Sequence, residues 1–135
     1  MTERELIGEA VSAMNRAYAP YSGFFVGAAL LTADGRVFTG CNIENASFTP
    51  TVCAERVAVF KAVSACERDF KMLAVVGGKG GRITGICPPC GVCRQVLAEF
   101  CPPDFPILLL DEHDDIHRIS LGELLPHSFS LEDTP

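Results

Sequence analysis

The chain has 135 residues, 48% of them apolar, and its seventeen acidic side chains outnumber eleven basic ones to leave a net charge of −6. That length makes one domain, residues 1–135, with room for a core that needs no staples; no Lys/Arg cluster offers itself to a phosphate backbone and no stretch is long enough to cross a bilayer, which sets nucleic-acid and membrane partners aside. A mean hydropathy of +0.25 is high for so short a soluble chain and points to a homo-oligomer whose contacts cover part of the surface.

Thr2 and Glu5 form a capping-box pattern, and Leu6, Ile7, Ala10, Val11, Met14 and Ala17 recur at helical spacing until Pro20, which predicts a first helix. Phe25 to Ala33 and Arg36 to Ile43 are β-rich runs joined at Asp34-Gly35, a hairpin turn. Asn45 to Val52 reads as a loop that delivers Cys53 to the start of a second helix, continued through Val57, Phe60, Lys61 and Val63 to Cys66. Met72 to Val76 is a short buried strand, and Gly77 to Pro89, rich in Gly and Pro, is expected to be loop.

A third helix runs from about Gly91 to Phe100 and stops at Pro102-Pro103. Ile107 to Leu110 and Ile116 to Ile119 are strands whose short connection requires antiparallel pairing, and Ser120 with Glu123 caps a short helix that ends before Pro126. The fold class that follows is α/β: a three-layer sandwich around a mixed five-stranded sheet, with the two cysteine-bearing helices on one face.

The seven cysteines are odd in number, and three of them are spaced for metal, which suits a reduced, cytoplasmic setting better than a disulfide scaffold. The charged start, Met1-Thr2-Glu3-Arg4-Glu5, contains no apolar signal-peptide core. Cys53, with Glu55 beside it, and the pair in Pro89-Cys90-Gly91-Val92-Cys93 can close three corners of a zinc tetrahedron and leave the fourth to water. A carboxylate next to such a water, whose pKa falls to about 7, can move its proton. At helix N-termini the thiolates would also face partial positive charge.

Cys87 overlaps this pattern, and a fourth thiolate would give a closed, noncatalytic zinc module; Pro88-Pro89 holds it in an extended segment from which the same metal is awkward to reach. A dithiol oxidoreductase built on Cys87-Pro88-Pro89-Cys90 lacks the βαβ context expected near the start of the chain. Cys41, Cys66 and Cys101 lie in apolar segments and read as core. His113, His117 and His127 lie away from the cysteines and read as surface or structural.

Cys53-Ala54-Glu55-Arg56 with Pro89-Cys90-Gly91-Val92-Cys93-Arg94-Gln95 resembles the cytidine deaminase family, in its short, homotetrameric, three-cysteine branch. Tyr18-Ala19-Pro20-Tyr21-Ser22, Gly40-Cys41-Asn42-Ile43-Glu44-Asn45-Ala46 and Leu124-Leu125-Pro126-His127-Ser128-Phe129 extend the likeness almost end to end. The resemblance implies hydrolysis of cytidine and 2′-deoxycytidine to uridine and 2′-deoxyuridine with release of ammonia, in pyrimidine salvage. It further implies one Zn²⁺ per chain on Cys53, Cys90 and Cys93, with zinc-bound hydroxide attacking C4 and Glu55 as the proton shuttle.

Substrate contacts implied by the same likeness are Phe24, Asn42, Glu44, Ala54 and Phe129: Asn42 and Glu44 hold the ribose, Phe24 packs on the pyrimidine, and Phe129 reaches it from a neighbouring subunit. Arg56 is implied as a hydrogen-bond donor to ligand sulfur. From the residues alone Asn42-x-Glu44-Asn45 serves equally as a turn, Phe24 and Phe129 as core, and Arg56 as a solvated helix residue. Phe48 departs from the family, which often carries Tyr there. A blasticidin-type deaminase shares the zinc motif, but the ribose pair argues against it.

Overall fold

A computed structural model describes residues 1–131 of the chain. Helix α1 (Glu3–Met14) begins with the expected capping box, Thr2 Oγ accepting from the Glu5 N–H and the Glu5 carboxylate from the Thr2 N–H. It ends at Met14, before the Ala17 that periodicity would include, because Asn15 and Arg16 already turn the chain toward the Tyr18 bridge.

Strands β1 (Phe25–Thr32) and β2 (Val37–Cys41) pair antiparallel across the Asp34-Gly35 turn, and α2 (Ala54–Ser64) follows the loop at 45–52. Strand β3 (Phe70–Lys79) leads through Gly80-Gly81 into the two-residue β4 (Arg82–Ile83); α3 (Gly91–Phe100), β5 (Pro106–Leu110), β6 (Ile116–Ser120) and α4 (Leu121–Leu124) complete the order.

Five strands run in the order β2-β1-β3-β5-β6, antiparallel throughout except for the parallel β3–β5 pair, and β4 adds a sixth beside β3. This corrects two expectations: the sheet has six strands, and the start of the Gly77 to Pro89 segment is sheet. Gly77 and Gly78 belong to the strand because nothing larger fits. A Cβ on Gly78 would lie 1.8 Å from the Arg82 carbonyl oxygen, and one on Gly77 would lie 2.9 Å from both Cys87 Sγ and the Phe24 ring.

Alternation along β3 divides the core into its two layers. Leu73 and Val75 face α2, α3 and α4, packing with Ala58, Val59, Leu97 and Leu121, while Ala74 and Val76 face Leu6, Ala10 and Met14 of α1. The cysteine-bearing helices therefore share one face, as the pattern predicts. Cys101 is buried and Cys41 half-buried, but Cys66 is exposed, contrary to the expectation of core. It sits just past the end of α2 with φ +67°, where the chain turns outward. His117 and the backbone N–H groups of His113 and Asp115 hydrogen-bond Asp111 at the β5–β6 turn and hold its carboxyl down at about 2.

Candidate active site

Cys53 is the residue immediately before α2 and Cys90 the residue immediately before α3; both have extended backbone, and neither side chain caps its helix. Cys93 follows in the first turn of α3 and is fully buried. Three sulfurs thus gather beside the N-termini of two helices, where unpaired N–H groups favour thiolate. Cys53 Sγ is 3.7 Å from Cys90 Sγ, Cys90 Sγ is 3.5 Å from Cys93 Sγ, and all three lie within 4.8 Å of one another.

Zinc–sulfur bonds of about 2.3 Å at tetrahedral angles place sulfurs about 3.8 Å apart, so this donor set fits Zn²⁺. Among the described residues it is the one cluster of three or more Cys, His, Asp or Glu donors close enough to share an ion.

The charge balance of the sulfurs points the same way. A hydrogen bond with Cys93, helped by Arg56, pulls the Cys53 thiol down to about 5, and the same bond pushes Cys93 up. Thiolates are the form that a divalent cation binds, and binding it releases the remaining thiol protons. Arg56 Nη2 lies 3.6 Å from Cys53 Sγ, and this contact raises the pKa of the guanidinium further.

Cys87 stands outside the cluster. Its thiol packs against Gly77 beside the Phe24 ring, where burial raises its pKa, and this position keeps it from serving as a fourth ligand.

Glu55, in the first turn of α2, is only 4% exposed, and its Oε1 has no hydrogen-bond partner. A buried carboxylate oxygen left without a partner is costly and marks a place where a reacting molecule completes the bonding. Burial, followed by the negative charge of Cys53, pushes its carboxyl up to about 7. Beside it Ala54 is fully buried. Gly40 makes this arrangement possible: a Cβ there would lie 2.2 Å from the Ala54 carbonyl oxygen, so only glycine lets β2 run against the first turn of α2.

Asn42 and Glu44 lie just past β2; Asn42 reaches back to the start of β1 and the residue before it, and Glu44 to the segment before β1. Asn42 Oδ1 accepts from the Val26 N–H at 2.8 Å, and its Nδ2 donates to the Phe24 carbonyl at 2.9 Å. Glu44 Oε1 accepts from the N–H groups of Tyr21 and Ser22, and Oε2 from the Ser22 hydroxyl, which lowers its pKa. Asn45 does form a local turn, its Oδ1 accepting from the Ser47 N–H and hydroxyl.

Phe24 is half-buried, whereas Phe129 is 66% exposed, its carbonyl taking a 3.4 Å hydrogen bond from Gln95. Phe48 is exposed at φ +62°, edge-on to Tyr21.

The sequence reading gave no role to Arg94, which donates to the Pro89 carbonyl at 2.6 Å and to the Leu124 carbonyl at 2.7 Å. It fixes the approach to Cys90 against the end of α4. The only signal was its place beside Cys93, which does not disclose where a long side chain points.

Over residues 1–109 the chain matches the sequence profile described as the cytidine and deoxycytidylate deaminase zinc-binding region. It is 50% identical over 133 residues to a cytidine deaminase of Sporosarcina psychrophila, covering 98% of this chain and 95% of that one. Identity to a cytidine deaminase of Mycobacterium tuberculosis is 45% over 130 residues, covering 96% and 91%. The crystal structure of cytidine deaminase from Burkholderia pseudomallei is similar with a TM-score of 0.88 at 47% identity, over 96% of this chain and 100% of that one.

Proposed function

This chain belongs to the family of zinc-binding cytidine and deoxycytidylate deaminases, and on that premise we propose that it hydrolyses cytidine and 2′-deoxycytidine to uridine and 2′-deoxyuridine, releasing ammonia. The observation that carries the reading is the convergence of Cys53, Cys90 and Cys93 beside a buried carboxylate with an unpartnered oxygen. Held by those three sulfurs, Zn²⁺ supplies the Lewis acidity that brings a water molecule's pKa to about 7.

Glu55 takes one proton from the attacking water and delivers it to ring N3, then takes the second from the hydroxyl now on C4 and delivers it to the departing nitrogen. The C4–O bond forms, the C4–N4 bond breaks, and ammonia leaves. Its elevated pKa suits both halves of that task. Arg56 withdraws charge from Cys53, offsetting the net −1 that three thiolates leave on a divalent ion. Ala54 contributes backbone at the pocket, and Phe24 packs on the pyrimidine.

Asn42 and Glu44 hold the ribose. Each is pre-organised by the bonds it already makes, yet Asn42 keeps one N–H and Glu44 one acceptor site for sugar hydroxyls. The experiment compares cytidine, 2′-deoxycytidine and free cytosine by loss of ultraviolet absorbance and ammonia release. Wild-type protein should turn over both nucleosides. Asn42→Ala and Glu44→Ala should each cost about 1–3 kcal/mol in kcat/KM on nucleosides and little on cytosine. Equal effects on nucleoside and base would take both residues out of the sugar site.

In this reading residues 1–135 form a single catalytic domain of a homotetramer working in cytoplasmic pyrimidine salvage. Exposed Phe60 on α2 and Val92 on α3 offer apolar surface to neighbouring subunits, and the exposure of Phe129 supports its reaching a neighbour's pocket in this reading. No helix of the described residues is long and apolar enough to cross a membrane. Truncation after Pro126 should depress activity more than folding, and sedimentation at assay concentration should find the active protein oligomeric. A fully active monomer would rule out the shared pocket.

A further inference from the structure

The segment Tyr18-Ala19-Pro20-Tyr21-Ser22 is prominent in the sequence and has no task in the reaction as described, yet it connects the two halves of the substrate site. The Ser22 hydroxyl carries one proton, which it gives to Glu44 Oε2 at 2.5 Å. Its lone pair is thereby turned toward the Phe24 N–H, which donates to Ser22 Oγ at 3.0 Å. Gly23, at φ +69°, supplies the left-handed step that lets a side chain reach the backbone two residues on. On its other side Phe24 is held through its carbonyl by Asn42 Nδ2. Both backbone groups of the base-stacking residue are therefore held, one directly by Asn42 and the other by Glu44 through a single hydroxyl.

The loop does not need that hydroxyl to stay in place. The Tyr21 and Ser22 N–H groups already anchor it to Glu44 Oε1, the Tyr18 N–H and carbonyl bond Asn42 and Glu44, and the Gly23 N–H bonds the Ala19 carbonyl. What the hydroxyl adds is the one link between the Glu44 carboxylate and the Phe24 backbone, and bonds in such a chain polarise one another.

We propose that Ser22 is a positioning residue for the nucleoside: it relays the bonding of the Glu44 carboxylate to Phe24, so that grip on the sugar and placement of the aromatic ring against the base are set together. The inference rests on the nucleoside reading above.

The test is a double-mutant cycle on kcat/KM for cytidine with Ser22→Ala and Glu44→Gln, alongside Ser22→Thr and thermal unfolding of each variant. Ser22→Ala should lose about tenfold or more, Ser22→Thr should stay within about threefold of wild type, and both should melt close to it. Combined with Glu44→Gln, Ser22→Ala should cost no more than a further threefold or so, because the relay has already lost its sender. Multiplicative losses would overturn the proposal, and so would a Ser22→Ala variant with wild-type kinetics. A Ser22→Ala chain that fails to fold would also overturn it, since the hydroxyl would then be structural. Wild-type protein inactive on cytidine would instead remove the nucleoside reading, and this inference with it.

Discussion

Glu55→Gln should keep the fold and its zinc while losing turnover by a factor on the order of 10⁴, the upper end of what one positioned acid–base group contributes. The amide fills the same space in the first turn of α2, where the side chain is 4% exposed, and it removes the cost of burying a carboxylate. It cannot take a proton from water or deliver one to N3 and the leaving nitrogen. The ligands are three sulfurs that the substitution leaves unaltered. Steady-state kinetics with metal analysis on the same preparation checks this. If the variant kept a tenth of wild-type kcat, Glu55 would not be the proton carrier.

The second large effect separates three neighbouring cysteines, Cys87, Cys90 and Cys93. Cys90→Ser or Cys93→Ser should lose zinc, activity or both, because each sulfur belongs to the triad. Cys87→Ser should change little, since that thiol lies against Gly77 and Phe24, outside the cluster of three sulfurs. Metal content and kcat/KM across the series decide the matter. Equal release of zinc by all three substitutions would make a closed four-thiolate site the better description and would leave no position for water.

Much of this was readable from the chain because the relevant signals are local. The capping boxes at Thr2 and Ser120, the Asp34-Gly35 hairpin and the short β5–β6 connection each specify geometry within a few residues. Likewise Cys53, Glu55, Cys90 and Cys93 carry their chemistry in spacing, and the starts of α2 and α3 fall where the cysteines predict.

What escaped was set by contacts between distant segments. Gly77 and Gly78 look like breakers, and only the approach of Cys87, Phe24 and Arg82 explains why a strand uses them. Cys66 lies at the end of a helical run whose periodicity does not reveal the outward turn. The bonds of Ser22 to Glu44 and of Arg94 to Leu124 span 22 and 30 residues, and no pattern in one dimension records them.

The central claim is that this chain hydrolyses cytidine with a metal held by three cysteines. It is tested most directly by following absorbance loss on cytidine while zinc is measured in protein purified without added metal, then removed by a chelator and restored. One zinc per chain is expected, with turnover falling in proportion to zinc removed and returning when zinc alone is added back. Full turnover at a zinc content near zero would contradict the account.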